Sequence, residues 1–245
     1  MNDKPLQQID TGLWLGEGPL VNFHGMPYPT RMIIIRLPDG GLWVWSPIAL
    51  SEALKSEVEA LGPVAHLVSP NPIHYLFLVE WHKAWPEAKL WGPQATIKKC
   101  DTLPFEAPLE DTAPESWQGV ITQAWFRGSF FMDEIAFVHE PTRTLILADL
   151  SENFSEDFLK RHWKSWQRVI AKAVGIVAGK GHAPLEWRLS WLNRKPARQA
   201  LAKVMSARPD RVIMAHGEWI DTGADAFLRQ SFSWLIQDKK EPSIG

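Results

Sequence analysis

Residues 31 to 46 constrain the chain more than any other stretch, because they write out a β-hairpin in local chemistry. R-M-I-I-I-R-L and L-W-V-W-S are two apolar strands, and P-D-G-G between them holds an Asp39-Gly40 pair able to supply the positive φ of a tight turn. Ser51 then stands as N-cap to L-S-E-A-L-K-S-E-V-E-A-L, whose Leu50, Leu54, Val58 and Leu61 share one helix face, and Gly62-Pro63 stops that helix. V-A-H-L-V follows directly as a short apolar strand.

The same reading extends down the chain. After a loop from Ser69 to Phe77, a helical stretch runs to Trp85 and A-K-L-W reads as a strand. G-V-I-T-Q-A-W, D-E-I-A-F-V and L-I-L-A-D are further strands, the last two joined by the turn H-E-P-T-R-T. Phe154 to Val177 reads as one long amphipathic helix capped by Ser155, and a helical pair broken at Pro196 comes next. R-V-I-M-A-H forms a last strand, and Ala224 to Gln237 a closing helix. Strands clustered in each half with helices between them predict an α/β fold, an αββα sandwich with sheets inside and helices outside. No Gly/Ser-rich or charge-rich linker interrupts the pattern, so residues 1–245 read as a single domain.

Charge and cysteine usage narrow the function classes. A formal net charge of -2 supports no global attraction to nucleic acid or an anionic membrane, and Arg194, Lys195 and Arg198 read as one solvated helix face. A single cysteine, Cys100, excludes an internal disulfide and fits a reducing compartment. With no apolar core in its first ten residues and no long apolar run, the chain is expected to be cytoplasmic. Its 14 tryptophans recur at strand or helix spacing (Trp43/Trp45, Trp81/Trp85, Trp163/Trp166, Trp187/Trp191), which predicts core packing first and an aromatic-lined pocket second. Oligomeric state is not written in these patterns.

Three apolar strands end in, or lead to, a residue that can bind metal. V-A-H-L-V leads to His74, T-L-I-L-A-D ends on Asp149, and R-V-I-M-A-H ends on His216. Ligands collect at the carboxyl ends of strands in α/β sheets, and two imidazoles with one carboxylate suit a single divalent ion, zinc, iron or manganese. Each residue also has a plainer role. Either histidine can be a core residue bonded to backbone, and Asp149 can cap a following helix.

From these segments the chain resembles the metallo-β-lactamase fold superfamily, and within it the DUF4336 group. R-M-I-I-I-R-L-P-D-G-G-L-W-V-W-S-P, L-G-P-V-A-H-L-V-S-P-N-P-I-H-Y-L-F and T-L-I-L-A-D-L carry the resemblance, which covers roughly Ile9 to Leu235. The superfamily motif is H-x-H-x-D-H. With its last histidine set on His74, the earlier ligand positions fall on Ser69, Asn71 and Ile73, and the mid-chain histidine falls near Phe130. The resemblance therefore implies that one of two metal positions has lost its histidines. The other retains His74, Asp149 and His216 and lacks the carboxylate that Ile73 replaces. Pro70 and Pro72 stiffen the loop, and Asn71 either presents its amide oxygen to a substrate or water, or satisfies loop backbone.

Two functions follow as expectations. One is a metal-dependent hydrolase of an unnamed small-molecule substrate, with at most a mononuclear site and with His139 or His182 as proton carriers. The other is a metal-free ligand-binding protein that reuses the cleft without catalysis, and an iron site doing oxygen chemistry is a lesser third.

Overall fold

The computed structural model describes residues 5–236. It begins with two strands that residue patterning alone did not mark, β1 (Leu6–Asp10) and β2 (Leu13–Phe23). The expected hairpin follows as β3 (Met26–Arg36) and β4 (Leu42–Trp45), antiparallel with Arg36 opposite Leu42, and Gly40 takes the left-handed φ of 88° at the turn. Next come α1 (Glu52–Leu61), β5 (Val64–Val68), α2 (Leu78–Ala84), β6 (Lys89–Trp91) and α3 (Gln94–Lys99). Strands β1 to β6 form one sheet in sequence order. Ser51 caps α1 as expected, its side chain accepting from the amide of Leu54.

A second sheet is built from β7 (Ile121–Phe126), β8 (Glu134–His139), β9 (Thr144–Asn153) and β10 (Arg211–Gly217), in the order β10-β9-β8-β7. Between β9 and β10 run α4 (Glu156–His162), α5 (Ser165–Val174), α6 (Leu185–Ser190) and α7 (Arg194–Ser206), and α8 (Ala224–Ser231) follows β10. Pro196 sits in the first turn of α7, where its missing N–H has no intrahelical partner to lose. The closing helix expected from Ala224 to Gln237 ends at Ser231 and gives way to a turn over residues 232–235; Gln237 itself lies outside the described residues.

Burial explains the layering. Met32, Ile33, Ile34 and Ile35 are all sealed from solvent, although alternate residues of a strand face opposite sides. Ile33 and Ile35, with Trp43 and Trp45, join Ile135, Phe137, Ile146 and Ile213 of the other sheet in a core between the sheets. Met32, Ile34 and Val44 point outward against Leu54 and Val58 of α1 and Trp81 of α2. Across the second sheet, Trp187, Leu201, Val204 and Leu228 cover Phe126, Leu145 and Met214. These are the four layers of an αββα sandwich, with the paired tryptophans of β4 in its centre. No helix among the described residues is long and apolar enough to cross a membrane.

Two further expectations need correction. The long helix from Phe154 to Val177 is two helices, α4 and α5, separated at Trp163 and Lys164. Trp163 is extended there, at ψ 142°, and its indole N–H donates to the carbonyl of Pro27 at 2.9 Å while its ring packs near Tyr28 and Phe154. Ser155 still caps the first piece, accepting from Phe158 N. The strand expected to stop at Asp149 continues to Asn153. Its pairing with β10 breaks after Leu147↔Met214 and resumes at Glu152↔His216, so Ala148, Asp149, Leu150 and Ser151 pass opposite Ala215 alone. This bulge turns Asp149 toward the edge of the sheet and brings Glu152 beside His216.

Candidate metal centre

His74 in the loop after β5, Asp149 in the bulge of β9 and His216 near the end of β10 come together, with one ligand atom from each within 4.8 Å of the others. His74 Nε2 lies 3.3 Å from Asp149 Oδ2, and His216 Nε2 lies 3.3 Å from Asp149 Oδ1. Two ligands held at about 2.0 Å by a tetrahedral ion are roughly 3.3 Å apart, so these two His–Asp separations are compatible with a ligand set, each imidazole facing a different oxygen of Asp149.

Each imidazole is aimed from behind. His216 Nδ1 lies 2.8 Å from the carbonyl of Pro29, which only an N–H on Nδ1 can satisfy, so Nε2 turns toward Asp149. His74 Nδ1 shares a 2.7 Å hydrogen bond with Ser46 Oγ, and its ring stacks on Trp45 at 5.9 Å. Its Nε2 is buried with no hydrogen-bond partner. A buried, unpartnered nitrogen beside a carboxylate, and a second imidazole facing the same group, are reconciled by a cation or a shared proton. The donor set thus fits a divalent ion. Asp149 accords with this: burial works to raise its pKa, but the imidazoles of His74 and His216 outweigh burial and hold it well below the usual carboxylate range. Asp149 caps no helix.

The positions that would hold another ion are filled differently. Ser69 is sealed and donates to the carbonyl of Asn71, and Phe130 is 74% exposed and does not line the cavity beside the site. Asn71 is fully buried. Its Oδ1 accepts from the amides of Ile73 and His74, so it does not present that oxygen to a ligand, and backbone satisfaction is the role the structure gives it. Its Nδ2 does something the sequence did not disclose, donating at 2.6 Å to Asp149 Oδ2 and at 3.0 Å to Glu134 Oε2. Glu134, at the start of β8, also accepts from the amides of Ala148 and Asp149. Burial and the charge of Asp149 push its carboxyl up to about 8, against the pull of those three donors. The amide of Asn71 thus separates two buried carboxyl groups where a cation would otherwise be needed.

Above the centre lies a cavity of about 470 Å³, into which His74, Asp149 and His216 all open. Phe23, Tyr28, Phe77 and Trp187 make much of its wall, so an aromatic-lined pocket exists beside the aromatic core. Tyr28 packs edge-on to His216 at 5.1 Å, and its hydroxyl donates to Glu152 Oε2 at 3.4 Å. Burial, followed by the charges of Asp149 and Glu186, raises Glu152 well above the ordinary carboxyl range. His139 and His182 do not line this cavity. The first bonds to Thr142 and the second to the carbonyl of Ser231, and burial lowers the pKa of both.

Sequence reasoning missed Glu134, Glu152, Tyr28 and Ser46. Only Ser46 carried a usable signal, as a polar residue directly after the apolar strand L-W-V-W.

Comparison with known proteins agrees with the layers described above. A family model, the domain of unknown function DUF4336, matches residues 21–161. The chain is similar to the DIM-1 metallo-β-lactamase exposed to ceftazidime, with a TM-score of 0.62 at 14% identity over 94% of this chain and 95% of that one. It is also similar to a metallo-β-lactamase from Erythrobacter litoralis with β-mercaptoethanol in its active site, with a TM-score of 0.63 at 12% identity over 94% and 95%. A metallo-β-lactamase from Pontibacter korlensis gives 0.59 at 13% identity over 94% and 97%. At such identities the likeness establishes the fold alone. The curated proteins include no match to the sequence.

Proposed function

The chain belongs to the DUF4336 family and has the metallo-β-lactamase fold, and from its site we propose that it is a mononuclear, metal-dependent hydrolase acting on a small molecule. One observation carries the reading: the buried, unpartnered Nε2 of His74 converges with His216 Nε2 on a single carboxylate at the floor of a cavity.

His74, Asp149 and His216 would hold one divalent ion, zinc, iron or manganese. When bound, such an ion supplies Lewis-acid polarisation of a carbonyl or phosphoryl oxygen and activation of water. The chain's own residues do the rest. Ser46 and the carbonyl of Pro29 fix the two imidazoles, so little reorganisation accompanies binding. Asn71 anchors the inner oxygen of Asp149, while Glu134 holds the amides of Ala148 and Asp149 and so keeps the bulge of β9 in place. Phe23, Tyr28, Phe77 and Trp187 exclude water and take up the apolar part of a substrate.

Elemental analysis of protein purified without added metal tests the reading, repeated on His74→Ala and His216→Ala. One equivalent of a divalent metal in the wild type and none in either variant is expected. Wild-type protein that is metal-free, and takes up neither zinc, iron nor manganese on addition, would refute it.

A further inference from the structure

One wall of the cavity carries a carboxyl group that the metal chemistry does not use. Glu152 is 2% exposed, lines the cavity, and is not among the converging ligand atoms. Among the described residues no lysine or arginine forms an ion pair with it. Among those residues its one side-chain hydrogen bond is the long contact of 3.4 Å from the Tyr28 hydroxyl. A carboxyl withdrawn this far from water is costly unless something pairs with it, and the protein provides little.

The remaining charges of the cavity point the same way. Glu186, on α6, is exposed and lines the same space as Glu152. Among the described residues Lys99 is the cavity's only lysine or arginine, and it sits at the exposed rim. There its Nζ donates to the carbonyl of Pro72 at 2.9 Å and lies 4.4 Å from the centre of the Tyr75 ring. Inside, the aromatic wall can hold an apolar body and offers ring faces to a cation.

We propose that the ligand of this cavity carries a cationic amine on an apolar or aromatic body, with Glu152 as its buried counter-ion and Glu186 as an acidic guide at the entrance. The proposal names a substrate class for the site described above and rests on that cavity being the substrate site. Glu152 is a specificity-determining residue here, because an ammonium group pairs with its ionised carboxyl whereas a carboxylate ligand offers it no cation.

Calorimetric titration with three probes of equal length, 4-phenylbutylamine, 4-phenylbutanol and 4-phenylbutyrate, tests it on EDTA-treated protein and again on zinc-loaded protein. The amine should bind about tenfold more tightly than the alcohol, as one charge-assisted hydrogen bond allows, and the acid more weakly than either. Glu152→Gln should bring amine and alcohol to near equality, and Glu186→Gln, on an exposed position, should narrow the gap by about twofold. Should Glu152→Gln fail to fold, the wild-type ranking and Glu186→Gln decide the matter. Equal affinity for amine and alcohol, tightest binding of the acid, an amine preference that survives in folded Glu152→Gln, or no binding of the amine would each overturn the proposal. Zinc uptake is measured on the same samples, so a protein that selects the amine yet takes up no metal counts against the hydrolase reading alone.

Discussion

Asn71 offers the sharpest test of how this site is held together, because its two ends make separable predictions. Asn71→Ala removes the donor between Asp149 and Glu134 at 2.6 and 3.0 Å, and the acceptor for the amides of Ile73 and His74. Hydrogen bonds to charged groups contribute about 1.5–3 kcal/mol each, and two of them in a sealed site put the expected loss near 4 kcal/mol. Asn71→Asp keeps the acceptor and replaces the donor by a further carboxylate oxygen facing two others. If the amide's main work is to separate the buried carboxyl groups, Asn71→Asp is at least as unstable as Asn71→Ala. Urea unfolding at neutral pH, followed by tryptophan fluorescence, measures both. EDTA must be present, since a divalent ion would mask the unfavourable crowding of three buried carboxyl groups. An Asn71→Asp variant within about 0.5 kcal/mol of wild type would refute the argument and leave Asn71 with its loop role only.

His66 should shape the acid limb of stability. Its Nδ1 accepts from the Trp91 indole at 3.0 Å, and burial lowers its pKa from 6.5 to about 4. The unfolded chain therefore binds a proton in a range where the folded one does not, and this contribution is present above pH 6.5 and lost as pH falls toward 4. In His66→Phe the slope of stability over that range should drop by up to about 1.4 kcal/mol per pH unit, and an unchanged slope in a urea series would contradict it. Gly217→Ala should cost about 3 kcal/mol in chemical denaturation and weaken zinc binding, because φ is 92° and a Cβ would run into the backbone carbonyl of Asn153 beside His216; near-wild-type stability would count against this. Ser46→Ala removes the 2.7 Å bond to His74 Nδ1 and should weaken zinc affinity by about tenfold in competition with a chromophoric chelator, with a stability loss near 1 kcal/mol. Unaltered affinity would mean that Ser46 does not aim the ring.

Features set within a few residues were legible in advance. The Asp39-Gly40 turn, the caps at Ser51 and Ser155, and the positions of His74 after one apolar strand and His216 near the end of another all depend on near neighbours in the chain. Such patterns reach only as far as a turn or a helix face, which is enough for the order of strands and helices and for naming three candidate ligands. Tertiary packing decided the rest. Trp163 leaves its helix because a carbonyl 136 residues away accepts its indole N–H, and Glu134 finds Asn71 across 63 residues. Glu152 reaches the cavity only because β9 bulges and then pairs again with β10. Partners of this kind leave no trace in local composition, since a buried polar group is satisfied by whatever the fold brings within about 3 Å of it.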